Sequence, residues 1–239
     1  MSITDYIVQK TGLETSFEEG NLKFKKFNTG SVEVEVGEFL YGLVRLVKPE
    51  KVCETGTYKG ISAAYIALAL KENGFGELDT IEADSQWWQE ATELWKKLEV
   101  DKLINLYKMR VEDFNPEPEF KGSDFSDSDY MQRQREKYGL VFLDTEPDVR
   151  FNELKRFFPY TKLGGFIAIH DLHPHLGLSG TELHGMTNWP FGDFRQYFGD
   201  KILDHELTVV NFSTPRGFTL FQKASNSFVS YQLLTGKLK

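Results

Sequence analysis

Apolar residues at Val36, Phe39, Leu40, Leu43, Val44 and Val47 recur at helical spacing until Pro49 ends the pattern. That period predicts an amphipathic helix beginning near Glu35. Short apolar runs then alternate with helical ones. Lys51 to Glu54, Leu78 to Ala83, Ile104 to Met109, Leu140 to Asp144 and Gly165 to His170 read as strands. Ser62 to Asn73, Gln86 to Leu98 and Arg150 to Tyr160 read as helices between them. Strands separated by helices predict a parallel sheet covered on both faces, with ligands beyond the carboxyl ends of its strands. After Trp189 the order changes: Leu207 to Phe212 and Gly217 to Gln222 are two β-rich runs separated by Ser213 to Arg216, the pattern of an antiparallel hairpin.

Two segments fall outside this alternation. Residues 1–30 are mixed, with a short helix expected over Thr4 to Lys10, and read as an N-terminal cap. Asn115 to Tyr138 is polar, opens with two prolines and carries many charges. It reads as an excursion with a helical second half, either a solvated surface loop or a lid over the ligand. Residues 225–239 read as a C-terminal tail. The 239 residues suffice for one large domain with a sizeable core.

Charge and cysteine content narrow the partners. A formal charge of -8 disfavours a broad electrostatic grip on nucleic acid or on an anionic membrane. Cys53 is the only cysteine, so an intrachain disulfide or a multi-cysteine metal cage is excluded, which suits a reducing cytosol. The N-terminal MSITDYIVQKTG lacks a basic stretch followed by an apolar one, and no apolar run approaches the roughly 20 residues of a spanning helix. A cytoplasmic protein without membrane or nucleic-acid partners is expected; a homodimer is left open.

The chemistry begins at VCETGTYKGIS, residues 52–62. Gly56 and Gly60 follow a strand and precede a helix, where glycine permits a tight turn and close approach to a ligand. The dinucleotide fingerprint is G-x-G-x-x-G, whereas here Glu54 heads an E-x-G-x-x-x-G loop. A carboxylate there would repel a pyrophosphate and favour a ligand bearing an amine or a sulfonium. Glu82 stands at the end of the next strand, where such folds place a carboxylate for ribose hydroxyls. An adenosine-like nucleoside with a cationic tail fits both acids, and S-adenosylmethionine meets that description.

Four blocks, ETGTYKGIS, TIEAD, YGLVFLDTEPDVRFNELKRFFPYTKLGGFIAIHD and RGFTLFQK, resemble the class I S-adenosylmethionine-dependent methyltransferases. Within that class the chain is similar to the catechol-type O-methyltransferases and to relatives that modify antibiotics and sugars. The resemblance spans roughly Val32 to Lys223. It implies an α/β, Rossmann-like, mostly parallel seven-stranded sheet with helices on both faces and a C-terminal antiparallel hairpin, in a methyltransferase domain over residues 31–224. It also implies that Glu54, Gly56 and Thr57 hold the amino-acid end of the cofactor, with Tyr58, Gly60 and Ser62 at the same end. Glu82 would take the ribose, and Glu112 or its neighbour Asp113 would lie near the adenine. Trp87 and Trp88 are expected to pack in the core.

Asp144 and Asp171 each end a strand, so both carboxylates are expected at one edge of the sheet, where neighbouring strands lie about 4.8 Å apart. Two such acids can share a divalent cation. The resemblance implies magnesium at these positions, chelating the acceptor hydroxyl and lowering its pKa, with Asp144 also near the cofactor. The catechol-type pattern has asparagine directly after the second acid; this chain has Leu172. His170, just before Asp171, is then the expected third ligand, and because imidazole suits manganese better, magnesium and manganese both stay open. His173 is the expected general base, while His175 and His184 belong to a loop forming an acceptor-side wall. Without a metal, a histidine alone would deprotonate the acceptor.

The expected activity is O-methylation of a small hydroxylated molecule, a phenol, sugar or secondary metabolite. A metal-independent small-molecule N-methyltransferase and a non-catalytic cofactor-binding partner protein are the alternatives. A nicotinamide-dependent dehydrogenase is disfavoured by Glu54 and by the missing glycine.

Overall fold

The structure is a computed structural model that describes residues 1–116, 136–146, 149–173, 178–179, 199, 201 and 206–224. The excursion expected over 115–138 falls mostly outside the described residues, as do His175, His184 and the tail at 225–239.

The strands are β1 (Thr15–Glu18), β2 (Asn21–Phe27), β3 (Lys51–Thr55), β4 (Glu77–Ile81), β5 (Ile104–Tyr107), β6 (Tyr138–Leu143), β7 (Thr161–His170), β8 (Leu172–His173), β9 (Leu178–Ser179), β10 (Leu207–Phe212) and β11 (Phe218–Lys223). The α-helices are α1 (Ile3–Thr11), α2 (Val34–Val47), α3 (Ile61–Asn73), α4 (Ser85–Lys97) and α5 (Arg150–Phe157). The central sheet has seven strands in the order β10-β11-β7-β6-β3-β4-β5. β5, β4, β3, β6 and β7 pair in parallel, and β11 runs antiparallel between β7 and β10. The order reverses at β3 and β6, so the loops leaving those two strands open a crevice between them.

Strand alternation divides the core in two. Val52, Leu78, Leu140 and Ala168 pack on one face with Leu40, Ala64, Leu94 and Trp95 from α2, α3 and α4. Their chain neighbours Cys53, Val141 and Ile167 face the other side and pack with Phe151, Leu154 and Phe157 of α5. A period of two thus sends successive residues of each strand to opposite helical layers. α3 is buried at every position from Ile61 to Leu70, which explains why it shows an apolar, alanine-rich run rather than an amphipathic stripe.

The N-terminal segment holds more structure than its mixed composition suggested. A Ser2 and Asp5 capping box starts α1, and Gly12 at φ 75° ends it. β1 and β2 then form an antiparallel hairpin. Ile7 and Phe27 are fully buried in the same cluster as α2 and α3. No helix among the described residues is long and apolar enough to cross a membrane.

Candidate active site

The carboxyl ends of β3, β4 and β6 are stitched together by backbone hydrogen bonds. Gly56 N–H donates to the Ile81 carbonyl at 3.0 Å, Asp144 N–H to that of Thr55 at 3.0 Å, and Glu82 N–H to that of Tyr107 at 3.0 Å. Above this edge lies a cleft of about 640 Å³. Gly56 has φ 81°, and a side chain there would overlap the Asp144 carbonyl, so only glycine lets the two loops meet. Tyr58, at φ 47°, takes a left-handed conformation uncommon for a non-glycine residue.

Gly56, Thr57, Tyr58, Ser62, Glu82, Glu112 and Asp144 line the cleft together, as does Asp171. Glu82 is fixed by its own loops: its carboxylate accepts from Tyr58 N–H at 2.7 Å and from Asp84 N–H at 2.8 Å. Trp87, expected in the core, instead lines the cleft and packs edge-on to Tyr58 with ring centroids 4.5 Å apart. Trp88 donates its indole N–H to the Glu82 carbonyl at 3.0 Å. Glu112 reaches the rim as an exposed side chain beside Arg110; Asp113 is exposed and does not line the cleft.

Two expected contacts sit behind the wall. Gly60 opens α3 with φ 79°, and its carbonyl accepts from the Trp95 indole at 2.9 Å, so its lack of a side chain serves helix packing. Glu54 is fully buried on the α3 side of β3. Thr80 donates to its Oε2 at 2.5 Å, while its Oε1 has no partner. Burial pushes the Glu54 carboxyl up to about 8, partly offset by the nearby Ser62 and Thr80 hydroxyls. The next residue, Thr55, faces the opposite layer and donates to Glu153 at 3.0 Å; burial pushes that carboxyl up to about 7.

At the other end of the cleft, Asp144, His170 and Asp171 each bring one ligand atom within 4.8 Å of the others, a donor group of the kind that can hold a divalent ion. Sequence reasoning missed what surrounds it. His170 is fully buried, with Nε2 2.6 Å from Glu33 and Nδ1 3.0 Å from Asp144. Burial alone would lower its pKa, but Asp171, Asp144 and Glu33 together raise it to about 10. The expected free base or ligand is thus an imidazole committed on both nitrogens. Arg150 reaches Asp144 and Asp171 at 3.2 Å each and also donates to the His170 and Thr145 carbonyls. Arg216 grips Asp171 through Nε and Nη2, both at 2.8 Å. His173 lies in β8, and its side chain is outside what the structure describes.

Signals for these partners exist in the sequence. An arginine at the first position of α5 opposes the helix dipole, so something outside the helix must favour it. Glu33 begins an apolar helix yet is itself buried, which a sequence pattern alone does not reveal.

The switch-point crevice and its acid-rich lining define an open α/β domain with its ligand cleft at the strand ends. A family model described as "Methyltransferase domain" matches residues 53–172, half of the chain, and the chain belongs to that family. It is similar to a putative caffeoyl-CoA O-methyltransferase of Arabidopsis thaliana, 27% identical over 147 residues that cover 61% of this chain and 56% of the relative. It is also similar to the catechol O-methyltransferase domain-containing protein 1 of Mus musculus, 38% identical over 72 residues, 30% of this chain and 27% of the relative. The chain spans about half the length, or less, of the curated relatives it matches. Among solved structures, the O-methyltransferase TomG of Streptomyces achromogenes, in complex with SAM, superposes with a TM-score of 0.61 at 20% identity over 82% of each chain. A putative O-methyltransferase from Klebsiella pneumoniae gives 0.60 at 21% identity, over 92% of this chain and 89% of that one. These likenesses carry the seven-stranded methyltransferase fold.

Proposed function

We propose that this chain is an S-adenosylmethionine-dependent O-methyltransferase acting on a hydroxyl of a small molecule: a phenol, a sugar or a secondary metabolite. The observation that carries the reading is the charge of the cleft: seven acidic side chains line it against three arginines. Such a lining favours a ligand with a sulfonium and an ammonium group and disfavours a pyrophosphate. When bound, the cofactor supplies a methyl group already activated on sulfur.

The remaining work is positioning by this chain's own residues. Glu82, preset by two backbone N–H groups, accepts from a ribose diol. Glu54, buried behind Thr57 and Ser62, acts on the ammonium group through its charge rather than by direct contact, and the bare backbone of Gly56 gives the ligand room. Glu112 stands at the adenine end. Trp87 and Tyr58 wall the ribose end, where Tyr58 N–H also holds Glu82. His173, placed just beyond Asp171, is assigned as general base, because both nitrogens of His170 are engaged. Two carboxylates and an imidazole are donor types that suit magnesium or manganese. As folded, however, Arg150 stands between the carboxylates, so no step is routed through a metal.

The names of the relatives support oxygen rather than nitrogen as the acceptor atom. Incubation with methyl-labelled S-adenosylmethionine and a panel of phenols, sugars and amines tests this. Label is expected on hydroxylated acceptors; transfer confined to amines, or none to any acceptor, would overturn it.

A further inference from the structure

Asp144, His170 and Asp171 offer a cation site, yet a cation already stands in it. Arg150 is buried, at 3% exposure, and one nitrogen, Nη2, lies 3.2 Å from Asp144 Oδ1 and 3.2 Å from Asp171 Oδ2. The same guanidinium is anchored by the carbonyls of Thr145 and His170, so it is held by backbone as well as by charge. A magnesium or manganese ion held by the same two oxygens would compete with that nitrogen for them. Two cations cannot share that volume without strong repulsion.

The third donor is also spent. His170 points Nε2 at Glu33, and its Nδ1, 3.0 Å from Asp144 and 3.5 Å from Asp171, is already engaged with both carboxylates. Arg216 closes the second carboxylate from the cleft side, with Nε 2.8 Å from Oδ1 and Nη2 2.8 Å from Oδ2. Two aspartates are matched by two guanidiniums, and their formal charges cancel within the chain. The position of Arg150 points the same way: at the first turn of α5, without a side-chain cap before it, a positive charge is disfavoured by the helix dipole and is retained there by the two acids.

We propose that Arg150 is the resident cation of the Asp144, His170 and Asp171 group, and that its guanidinium and a divalent metal exclude each other there. Resting on the methyl-transfer reading, the consequence is that the acids are held, and the acceptor end of the cleft is charge-balanced, by a side chain where the sequence resemblance implies a metal. Arg150 is a positioning residue for Asp144 and Asp171, and it makes the site indifferent to chelators.

The test is binding of manganese alone to the full chain, followed by the electron spin resonance of free manganese, so that it does not depend on methyl transfer. Wild type is expected to show no stoichiometric site tighter than about 1 mM, and Arg150→Gln to gain one site at least about tenfold tighter. Asp144→Asn added to Arg150→Gln should remove the gained site. A single wild-type site in the micromolar range that Asp144→Asn abolishes would overturn the proposal, as would an Arg150→Gln chain that folds and binds no tighter. If Arg150→Gln does not fold, Arg150→Met, which keeps the side-chain volume, takes its place, and the wild-type result decides alone if neither folds. Failure of the methyl-transfer reading would appear separately, as absence of S-adenosylhomocysteine binding.

Discussion

The two ends of the cleft treat their carboxylates in opposite ways. At the ends of β3 and β4, Glu54 keeps one buried oxygen unpartnered, and Glu82 is held only by backbone N–H groups. At the ends of β6 and β7, Asp144 and Asp171 are ion-paired with Arg150, Arg216 and His170, although Asp171 Oδ1 makes no aligned hydrogen bond. The first end is short of positive charge and waits for a cationic ligand. The second is matched in charge by the chain's own cations. The same strand-end position thus supports recognition at one place and internal order at another, depending on which neighbours approach it.

The largest expected effect breaks the charge-matched end. Glu33→Gln leaves His170 with a weaker partner inside the protein, and loss of a buried pair costs about 3 kcal/mol. Urea unfolding measures it. The pH dependence has a definite sign: His170 is raised from 6.5 to about 10 on folding, so its stabilisation is whole below pH 6.5 and is lost as pH rises through about 10. Glu33→Gln should flatten that alkaline decline.

Gly56→Ala comes next, because it places a side chain against the Asp144 carbonyl at φ 81°. A cost of about 2 kcal/mol, with loss of S-adenosylhomocysteine binding, is expected from calorimetry. At the open end, Glu82→Ala should leave stability nearly intact and weaken S-adenosylhomocysteine by about tenfold to a hundredfold, the worth of hydrogen bonds to a charged acceptor. The smallest effect sharpens the role of Glu54. Because burial raises its carboxyl to about 8, it is neutral at lower pH and must ionise to hold an ammonium group. Affinity should rise by nearly tenfold per unit between pH 6 and 7, and Glu54→Gln should remove that slope.

Much of the fold was legible because burial and local period agree. α2, α3 and α4 lie within a residue or two of the bounds that apolar spacing suggests, and β10 and β11 form the expected hairpin. β1 and β2 were not legible: NLKFKKF interleaves lysines with apolar residues, and its exposed strand buries only Phe27. In the site, residues set by strand ends, Gly56, Glu82, Asp144 and Asp171, could be placed from the sequence. Glu33, Arg150 and Arg216 could not, because they converge on His170 and Asp171 from three distant segments, and no local pattern encodes that meeting. Trp87 misled for a related reason: an aromatic on α4 suits the core and the cleft equally until the loop bearing Tyr58 is in place.

The contrast between the two ends rests on the open end binding a cationic nucleoside. Titration calorimetry with S-adenosylhomocysteine and with NAD, on the wild-type chain and on Glu82→Ala, tests it most directly. The account predicts one S-adenosylhomocysteine site per chain, weakened at least about tenfold in Glu82→Ala, and no NAD binding. A site that takes NAD and not S-adenosylhomocysteine would contradict it.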